Sequence, residues 1–249
     1  MTISEKILRA KADFDEVYAK GVADGKLQGD GGDDNYEAGR QAEYDAFWDT
    51  YQQNGKLTNY SNSFAGFGWN SETFKPKYDM KPTAAYMMFR QVAANSPLFD
   101  LVEHLNNLGV YLDFSECTSF NYAFYNARFT HLGVIDVRKA NSITTCFESC
   151  YAETIDELIL KEDGTTTIGT AFKNCGSLKN IKISGKIGVD ADFSSCYSLS
   201  HDSLISIINA LKDFSGTSTT RTLTLHTDAK AKLTEVEMAI ATEKGWTVA

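Results

Sequence analysis

Five cysteines are the residues most able to carry chemistry in this sequence, and two of them, Cys146 and Cys150, stand four positions apart. Two thiolates this close together could bind a zinc ion. However, no histidine lies at ligand spacing from them and no Cys-x-x-Cys pair is present. Cys175 and Cys196 occupy positions equivalent to Cys150 in a repeated pattern, which favours thiols packed as small apolar groups. We therefore expect free thiols, no metal site and no cofactor.

Other motifs of catalysis and ligand binding are absent from the sequence. The motifs G-x-x-x-x-G-K-[ST], H-E-x-x-H, G-x-S-x-G and a complete G-x-G-x-x-G do not occur, which argues against a phosphate cradle, a zincin or a hydrolase. The four histidines are scattered and are interpreted as surface or capping residues: His104, His131, His201 and His226. The sequence therefore predicts a protein that is not an enzyme.

The charge balance limits the partners of the chain. A formal charge of -9 over 249 residues provides no basic surface for phosphates or anionic lipids, so we expect neither nucleic acid nor membrane as a partner. Charges are spread through the first residues, which lack the apolar run of a signal peptide, and no apolar stretch could span a bilayer. Synthesis in a cytoplasm is expected.

The elements that must position any functional residue begin with a predicted helix in residues 1–28. Its apolar residues follow the 4-3-4-3-4 spacing of a short coiled coil: Ile3, Ile7, Ala10, Phe14, Val17 and Gly21. A single amphipathic helix that packs on its own domain is the alternative. The next segment, 29–35, is interpreted as an acidic glycine-rich linker, because its aspartates do not match the alternating ligands of a calcium loop.

Residues 36–109 are predicted to form a helical and aromatic N-terminal cap region. Its helix ends at Asn54-Gly55, and an irregular segment rich in aromatic residues, Asn and Gly follows. Trp69 or Tyr78 could stack on a sugar there, although packing in a core is favoured. A short helix should end at Gly109, and "VYLDFS" after it is predicted to be a strand.

A repeat occupies the centre of the chain. Its anchors, Phe124, Phe147, Phe172 and Phe193, are 23, 25 and 21 residues apart, and a small residue follows each one three positions later. The first three copies continue into an L-x-x-L-x-L-like strand whose apolar residues are Leu132, Ile135, Val137, then Ile155, Leu158, Leu160, then Leu178, Ile181, Ile183. Period and strand pattern are those of a leucine-rich repeat, in which short parallel strands stack on one another.

The stretch "IGTAFKNCGSLKNIKI" closely resembles the BspA-like leucine-rich repeats, which carry the pattern A-F-x-x-C-x-x-L-x-x-I-x-I. This chain departs from them by lacking the proline that commonly follows the last Ile, by Ala127 in place of Cys, and by a fourth copy without a clear strand. The resemblance covers about residues 110–200. That family includes cell-surface adhesins, host-interaction proteins and bacteriophage proteins. "EAGRQAEYDAFWDTYQQNG" and "ATEKGWTV" are similar to sequences in leucine-rich-repeat proteins of phages and prophages of gut Firmicutes.

These observations predict an α/β fold: a short BspA-like leucine-rich-repeat solenoid at 110–200, preceded by N-terminal helices and closed by an α/β C-terminal cap at 201–249. The cap is read as a helix from His201 to Gly216, the strand "RTLTLH", the helix "AKLTEVEMAIATEKG" and the strand "WTVA". A solenoid needs such a cover over its exposed end.

The resemblance implies an interaction protein, foremost a phage virion component of the tail or its receptor-binding tip, made in the host cytoplasm. A bacterial cell-surface adhesin and a purely structural virion decoration module are the alternatives. The expected partners are itself, as a homo-oligomer with a trimer favoured, other tail proteins, and a host-cell surface protein or glycan. Strand positions between the apolar residues should line one exposed face. The candidate binding residues on this face are Asp136, Asp156, Glu157, Lys179, Asn180 and Lys182.

Overall fold

The computed structural model describes residues 45–46, 48–66, 69–93 and 96–249. The chain divides into two units, Met1–Lys56 and Leu57–Ala249. In the first unit, residues 48–51 are helical, and the rings of Trp48 and Tyr51 meet edge to face with their centroids 5.6 Å apart. The predicted helix at 1–28 and the predicted linker at 29–35 lie outside the described residues.

The second unit has a mixed α/β structure with two small parallel sheets, as predicted for the class of the fold. Helix α1 (Leu101–Leu108) precedes a sheet of the order β1-β2-β3, whose strands are β1 (His131–Asp136), β2 (Thr154–Ile159) and β3 (Asn180–Ser184). All neighbouring pairs of this sheet are parallel. These three strands are the ones that the repeat pattern predicted.

The second sheet has the order β4-β5-β6, with β4 (Ala191–Phe193), β5 (Arg221–Leu225) and β6 (Trp246–Val248), and is also parallel. Its helices are α2 (His201–Ala210), α3 (Thr227–Lys230) and α4 (Glu235–Glu243). Helix α4 lies within the helix predicted from "AKLTEVEMAIATEKG", whereas the short helix α3, which precedes that stretch, was not predicted. Thr234 and Glu237 form a capping box that begins α4.

A column of stacked phenylalanine rings runs through the core. Neighbouring centroids lie between 4.8 and 5.6 Å apart and neighbouring planes differ by 9 to 21°, along the series Phe64, Phe89, Phe124, Phe147, Phe172 and Phe193. We call this series the phenylalanine column. All six side chains are at most 1 % exposed, so the column supplies a large apolar surface that is fully removed from water.

The backbone around the column is also repeated. The N–H groups of Phe124 and Asn126 donate to the carbonyls of Cys146 and Glu148, at 2.8 and 2.9 Å. The same two-residue step joins residues 60, 62, 64 and 66 to 84, 86, 88 and 90, and residues 147 and 149 to 171 and 173. Two residues after four of the phenylalanines the backbone is left-handed, at Gln91, Asn126, Ser149 and Asn174. Each turn of chain therefore lies on the next in the same register.

Helices α1 and α2 flank the first sheet. A hydrogen-bond ladder at one corner runs from the carbonyl of Phe99 through residues 130, 153 and 179 to the N–H of Ser200. After this corner the chain forms a strand in the three central turns, and a helix, α1 or α2, in the two outer turns. Asp100 and Ser200 are the N-caps of these helices and accept from Glu103 N and Ser203 N. Helix α1 packs beside β1 and α2 beside β3.

Two serines of α2 pair with the edge of the sheet. The hydroxyl of Ser203 accepts from Ile181 N at 2.9 Å, and the hydroxyl of Ser206 accepts from Ile183 N at 2.8 Å. An unpaired strand edge exposes backbone donors that favour association with other chains. Here side chains of a helix take the place that a further strand would otherwise fill.

Two predictions about single elements are wrong. "VYLDFS" is not a strand, since only an isolated bridge joins its Leu112 to Met80. Helix α2 ends at Ala210 rather than near Gly216, because Lys212 N donates to the carbonyl of Ile187 and continues the backbone pairing there. The fourth repeat has no strand after its anchor, as its sequence indicated, because α2 follows there; the short strand β4 ends at the anchor, Phe193, and pairs with β5.

Candidate binding trough

Two adjacent cavities lie on the face of the first sheet and share one residue, Asp156. The cavity on the α1 side has a volume of about 200 Å³, and the cavity on the α2 side about 390 Å³. We call their lining the trough. Its floor consists of strand residues, and its two walls are α1 with the segment that follows it, and α2. The trough is thus built by the sheet and both flanking helices.

The α1 end of the trough is apolar. Val102 and Leu105 of α1 line it, and Gly133 lies so close to α1 that an added Cβ would approach the Cγ2 of Val102 to 3.2 Å. Tyr111 and Val134 also line this end and are 64 % and 48 % exposed. Exposed apolar side chains of this size beside a cavity are a common feature of binding surfaces.

The α2 end of the trough is polar. Its floor carries Thr154, Asp156, Asn180 and Lys182, and its wall carries Asp202 with three serines of the helix and its cap, Ser200, Ser203 and Ser206. The side chain of Asp202 is fully exposed. The hydroxyls of Ser203 and Ser206 already pair with β3, so Thr154, Asn180 and Asp202 are the groups best placed to bond to a ligand at this end, which provides little apolar contact.

The structure places three of the six predicted binding residues, Asp156, Asn180 and Lys182, in the trough. Asp156 is exposed on β2, and Asn180 and Lys182 are exposed at alternating positions of β3. Buried Ile and Leu residues lie next to them on both strands. The register of β2 and β3 shifts between Ile155 and Leu158, so that the two residues between these anchors lie opposite one residue of β3. This irregularity explains why Asp156 and Glu157 both avoid the core.

The other three predicted binding residues do not line the trough. Asp136 is buried at 7 % exposure, and the guanidinium of Arg138 binds its carboxylate with Nη2–Oδ2 at 2.7 Å. Burial raises the pKa of Asp136, but the hydrogen bonds from Arg138 outweigh it and hold that pKa below its ordinary value. Lys179 precedes β3 and pairs with Glu153 at 2.7 Å.

Glu157, the third of these, is held between two groups of β3. Lys182 lies 2.8 Å from its carboxylate and Ser184 donates to the same oxygen. These hydrogen bonds, that from Lys182 first, lower the pKa of Glu157. Lys182 is therefore already paired across the strands, so the charges on this side of the sheet largely neutralise one another.

His131 links α1, β1 and β2 at the trough. Its Nδ1 lies 3.0 Å from Oδ2 of Asp100, and its Nε2 lies 2.8 Å from Oδ1 of Asp156. Both ring nitrogens can donate at once only when the imidazole is protonated. Burial lowers the pKa of His131, but the hydrogen bonds to Asp156 and Asp100 outweigh it and raise the pKa above 6.5.

The thiols take no part in the trough. All five cysteines are buried and unpaired, and Cys150, Cys175 and Cys196 each follow a residue of the phenylalanine column by three positions. The prediction that they pack as small apolar groups is confirmed, as is the burial of Trp69. Within the described ranges, no group of three or more His, Cys, Asp or Glu residues is arranged to hold a metal ion.

The walls of the trough are the feature of the candidate site that the sequence did not predict. Helix α1 was predicted from its end at Gly109, and α2 from a helix start at His201, but neither signal shows beside which strand a helix lies. Comparison of the chain with known proteins finds no matching family model, no similar curated protein and no similar solved structure. In the described part of the chain, no helix is both long enough and apolar enough to cross a membrane.

Proposed function

We propose that this chain is a non-enzymatic interaction protein, a short BspA-like leucine-rich-repeat solenoid that recognises a host-cell surface ligand through the trough. Its place is the tail or the receptor-binding tip of a phage virion, where other tail proteins are its neighbours. The single observation that carries the binding role is the trough itself, which is built by three strands and two helices and combines an apolar and a polar end.

The solenoid description is supported by the order of the repeated elements. Successive turns of chain each add one ring to the phenylalanine column and one further step to the backbone hydrogen bonds. The central turns also add one strand each to the parallel sheet. In a solenoid each turn contacts only its neighbours, so exposed strand positions of successive turns come to lie side by side. Asp156 and Asn180, which lie on neighbouring strands and line the same cavity, fit this description.

The chemistry of the trough indicates what kind of ligand it fits. The smaller cavity, beside Tyr111 and Val134, has the size of one apolar group, and the larger cavity offers hydrogen-bonding groups. A ligand with an apolar group next to several polar groups would contact both ends at once. Burial of the exposed parts of Tyr111 and Val134 would drive binding, while the polar end would select among ligands.

Binding of the full-length chain to host cells tests this proposal. The fluorescently labelled protein is mixed with a panel of gut Firmicutes strains, and the cell-bound fraction is measured by sedimentation and fluorescence. Val134→Arg and Asn180→Arg place a long charged side chain in either end of the trough at exposed positions, so the fold should tolerate both. We expect each variant to lose most of the cell-bound fraction.

Val236→Arg is the matched control. Val236 is 77 % exposed on α4 and does not line the trough, so this variant should bind cells as the unchanged chain does. The binding role is contradicted when no strain retains the protein, or when the trough variants bind as well as the control. The virion assignment is tested by immunogold labelling of induced phage particles: label on tails supports it, and label only on the envelope of uninduced cells supports the adhesin alternative.

A further inference from the structure

A second surface with the features of a binding site is formed by two exposed tyrosines. Tyr151 and Tyr197 stand at the same position of their turns, four residues after Phe147 and Phe193 of the phenylalanine column. Their side chains remain 37 % and 54 % exposed. Both lie in the loops that lead into the next strand or helix, and neither lines the trough.

Both rings are held in place by their neighbours. The guanidinium of Arg128, which stands at the same position one turn earlier, lies 4.7 Å from the centre of the Tyr151 ring. This guanidinium is itself fixed, since its Nε donates to the carbonyl of Ser96 at 3.1 Å. A cation over an aromatic face at this distance is attracted by the ring electrons and orients the ring.

The ring of Tyr197 occupies the space that a side chain at position 176 would fill. Gly176 occupies the equivalent position of the turn between Tyr151 and Tyr197, and the Tyr197 ring lies over it. A Cβ added at Gly176 would come within 2.4 Å of Cε1 and 2.6 Å of the hydroxyl oxygen of Tyr197. His226 supports the same ring edge to face, with centroids 5.7 Å apart. Only glycine at position 176 leaves room for this arrangement.

We infer that Tyr151, Gly176 and Tyr197 form a platform that binds a neutral carbohydrate by stacking of pyranose rings. A pyranose presents polarised C–H groups on one face, and these are attracted to the electron-rich face of a tyrosine ring, which at Tyr151 is the face turned away from Arg128. The phenol hydroxyls can bond to sugar hydroxyls at the ring edge. Because the two tyrosines come from different turns, each can stack on a different unit of one sugar chain.

The charges around the platform favour a neutral ligand. The guanidinium of Arg128, which lies against the Tyr151 ring, would repel a cationic group. The formal charge of -9 on the chain would repel a polyanion. Tyrosine also gives a large contact area with little loss of side-chain freedom, because it has only two rotatable bonds. Rigid exposed rings of this kind suit a repetitive uncharged polymer.

Affinity electrophoresis of the full-length chain tests this inference. The protein migrates through native gels that contain dextran, a β-galactan or an α-mannan, and retardation relative to a gel without polysaccharide gives the association constant. We expect retardation by at least one of these polymers, and a loss of about fivefold to tenfold in the association constant for Tyr151→Ala and for Tyr197→Ala. Tyr197→Phe keeps the ring and should retain most of the binding.

Two further variants separate the platform from general effects. Tyr86→Ala is the control, because Tyr86 is also 37 % exposed but lies outside the platform, and its binding should be unchanged. Gly176→Ala forces the Tyr197 ring to move without removing it, and should weaken retardation as Tyr197→Ala does. The inference is overturned when no polysaccharide retards the chain, or when Tyr86→Ala loses as much binding as the platform variants. Neither result bears on the trough, which is tested with cells.

Discussion

Among single residues, the five cysteines show how burial determines chemistry. Burial raises the pKa of Cys117 to about 11 and that of Cys150 to about 12, and it raises the pKa of Cys146 well above its ordinary value. Only the thiolate attacks disulfide reagents. A buried thiol with a raised pKa is therefore a packing group, and its type could be predicted from the repeat, because a small apolar residue recurs at the same position.

The thiols should react with Ellman's reagent only after unfolding. At pH 8 the native chain is expected to release almost no thionitrobenzoate within minutes, because the thiols are both inaccessible and protonated. In guanidinium chloride without reductant all five cysteines should react. Fewer than five reactive groups after unfolding would show that some thiols are oxidised.

His131 should make stability depend on pH. Its folded-state pKa is raised above 6.5 by Asp100 and Asp156, so its contribution to stability is fully present below 6.5 and is lost as the pH rises through the raised value. The melting temperature of the unchanged chain should therefore fall more steeply from pH 6 to pH 9 than that of His131→Gln. Parallel curves for the two proteins would rule out this role of His131.

Among the elements, the strands were easier to predict than what lies beside them. Strands β1 to β3 follow from buried apolar residues that recur at similar distances after Phe124, Phe147 and Phe172. Phe64 and Phe89 belong to the same column, but α1 and its flanking loops separate Phe89 from Phe124 by 35 residues, which breaks the period. Neither of these two residues is followed by the cysteine that marks later turns. The pattern thus identified the regular copies only.

The phenylalanine column should carry much of the stability of the sheet region. Phe172 is fully buried, with ring centroids 5.3 Å from Phe147 and 4.8 Å from Phe193. Phe172→Ala should lower the free energy of unfolding by about 3–5 kcal/mol. The substitution would leave a cavity between adjacent turns, and these turns cannot collapse independently to fill it. Phe172→Leu refills part of this volume and should cost less. Urea denaturation measures both, and an unchanged midpoint in Phe172→Ala would contradict the column.

The two serines of α2 that pair with the edge of β3, Ser203 and Ser206, predict a second and more local effect on stability. Ser203→Ala leaves the N–H of Ile181 without its acceptor in a buried place, which should cost about 1–3 kcal/mol. Ser206→Ala should do the same at Ile183. Hydrogen exchange resolved to single amides should accelerate at these two positions more than elsewhere, whereas Ser218→Ala, at an exposed loop position, should change neither stability nor exchange. Equal exchange in the three variants would mean that the hydroxyls are not the acceptors.

For the whole molecule, the site could be predicted only in part, for a physical reason. Alternation along a strand shows which side chains leave the core, so Asp156, Asn180 and Lys182 could be named from the sequence. Which of them face a cavity depends on α1 and α2, whose positions are set by packing between distant parts of the chain. Likewise, Asp136 lies between apolar strand residues, where its side chain was predicted to be exposed. Its carboxylate instead pairs with Arg138, and the side chain is buried.

The last prediction concerns assembly of the full chain. The 4-3-4-3-4 apolar spacing in residues 1–28 gives a stripe narrower than a helix buried in a domain requires. A lone helix of this length is marginal in water, so self-association supplies the burial that it lacks. The acidic glycine-rich segment 29–35 should join this assembly helix to the rest of the chain as a flexible tether. The phenylalanine column, both sheets and the trough all lie in the unit Leu57–Ala249, so they should form without residues 1–34.

Light scattering on the full chain and on a truncated chain that begins at residue 35 tests this assembly. The full chain should be a homo-oligomer, with a trimer favoured by analogy with phage tail tips. The truncated chain should have a smaller mass and still unfold cooperatively in urea. Assembly would also serve the proposed binding role, because several weak sites that are presented together bind a surface far more tightly than one site alone. A full chain that is monomeric at tens of micromolar would remove both the coiled coil and this multivalent mode of binding.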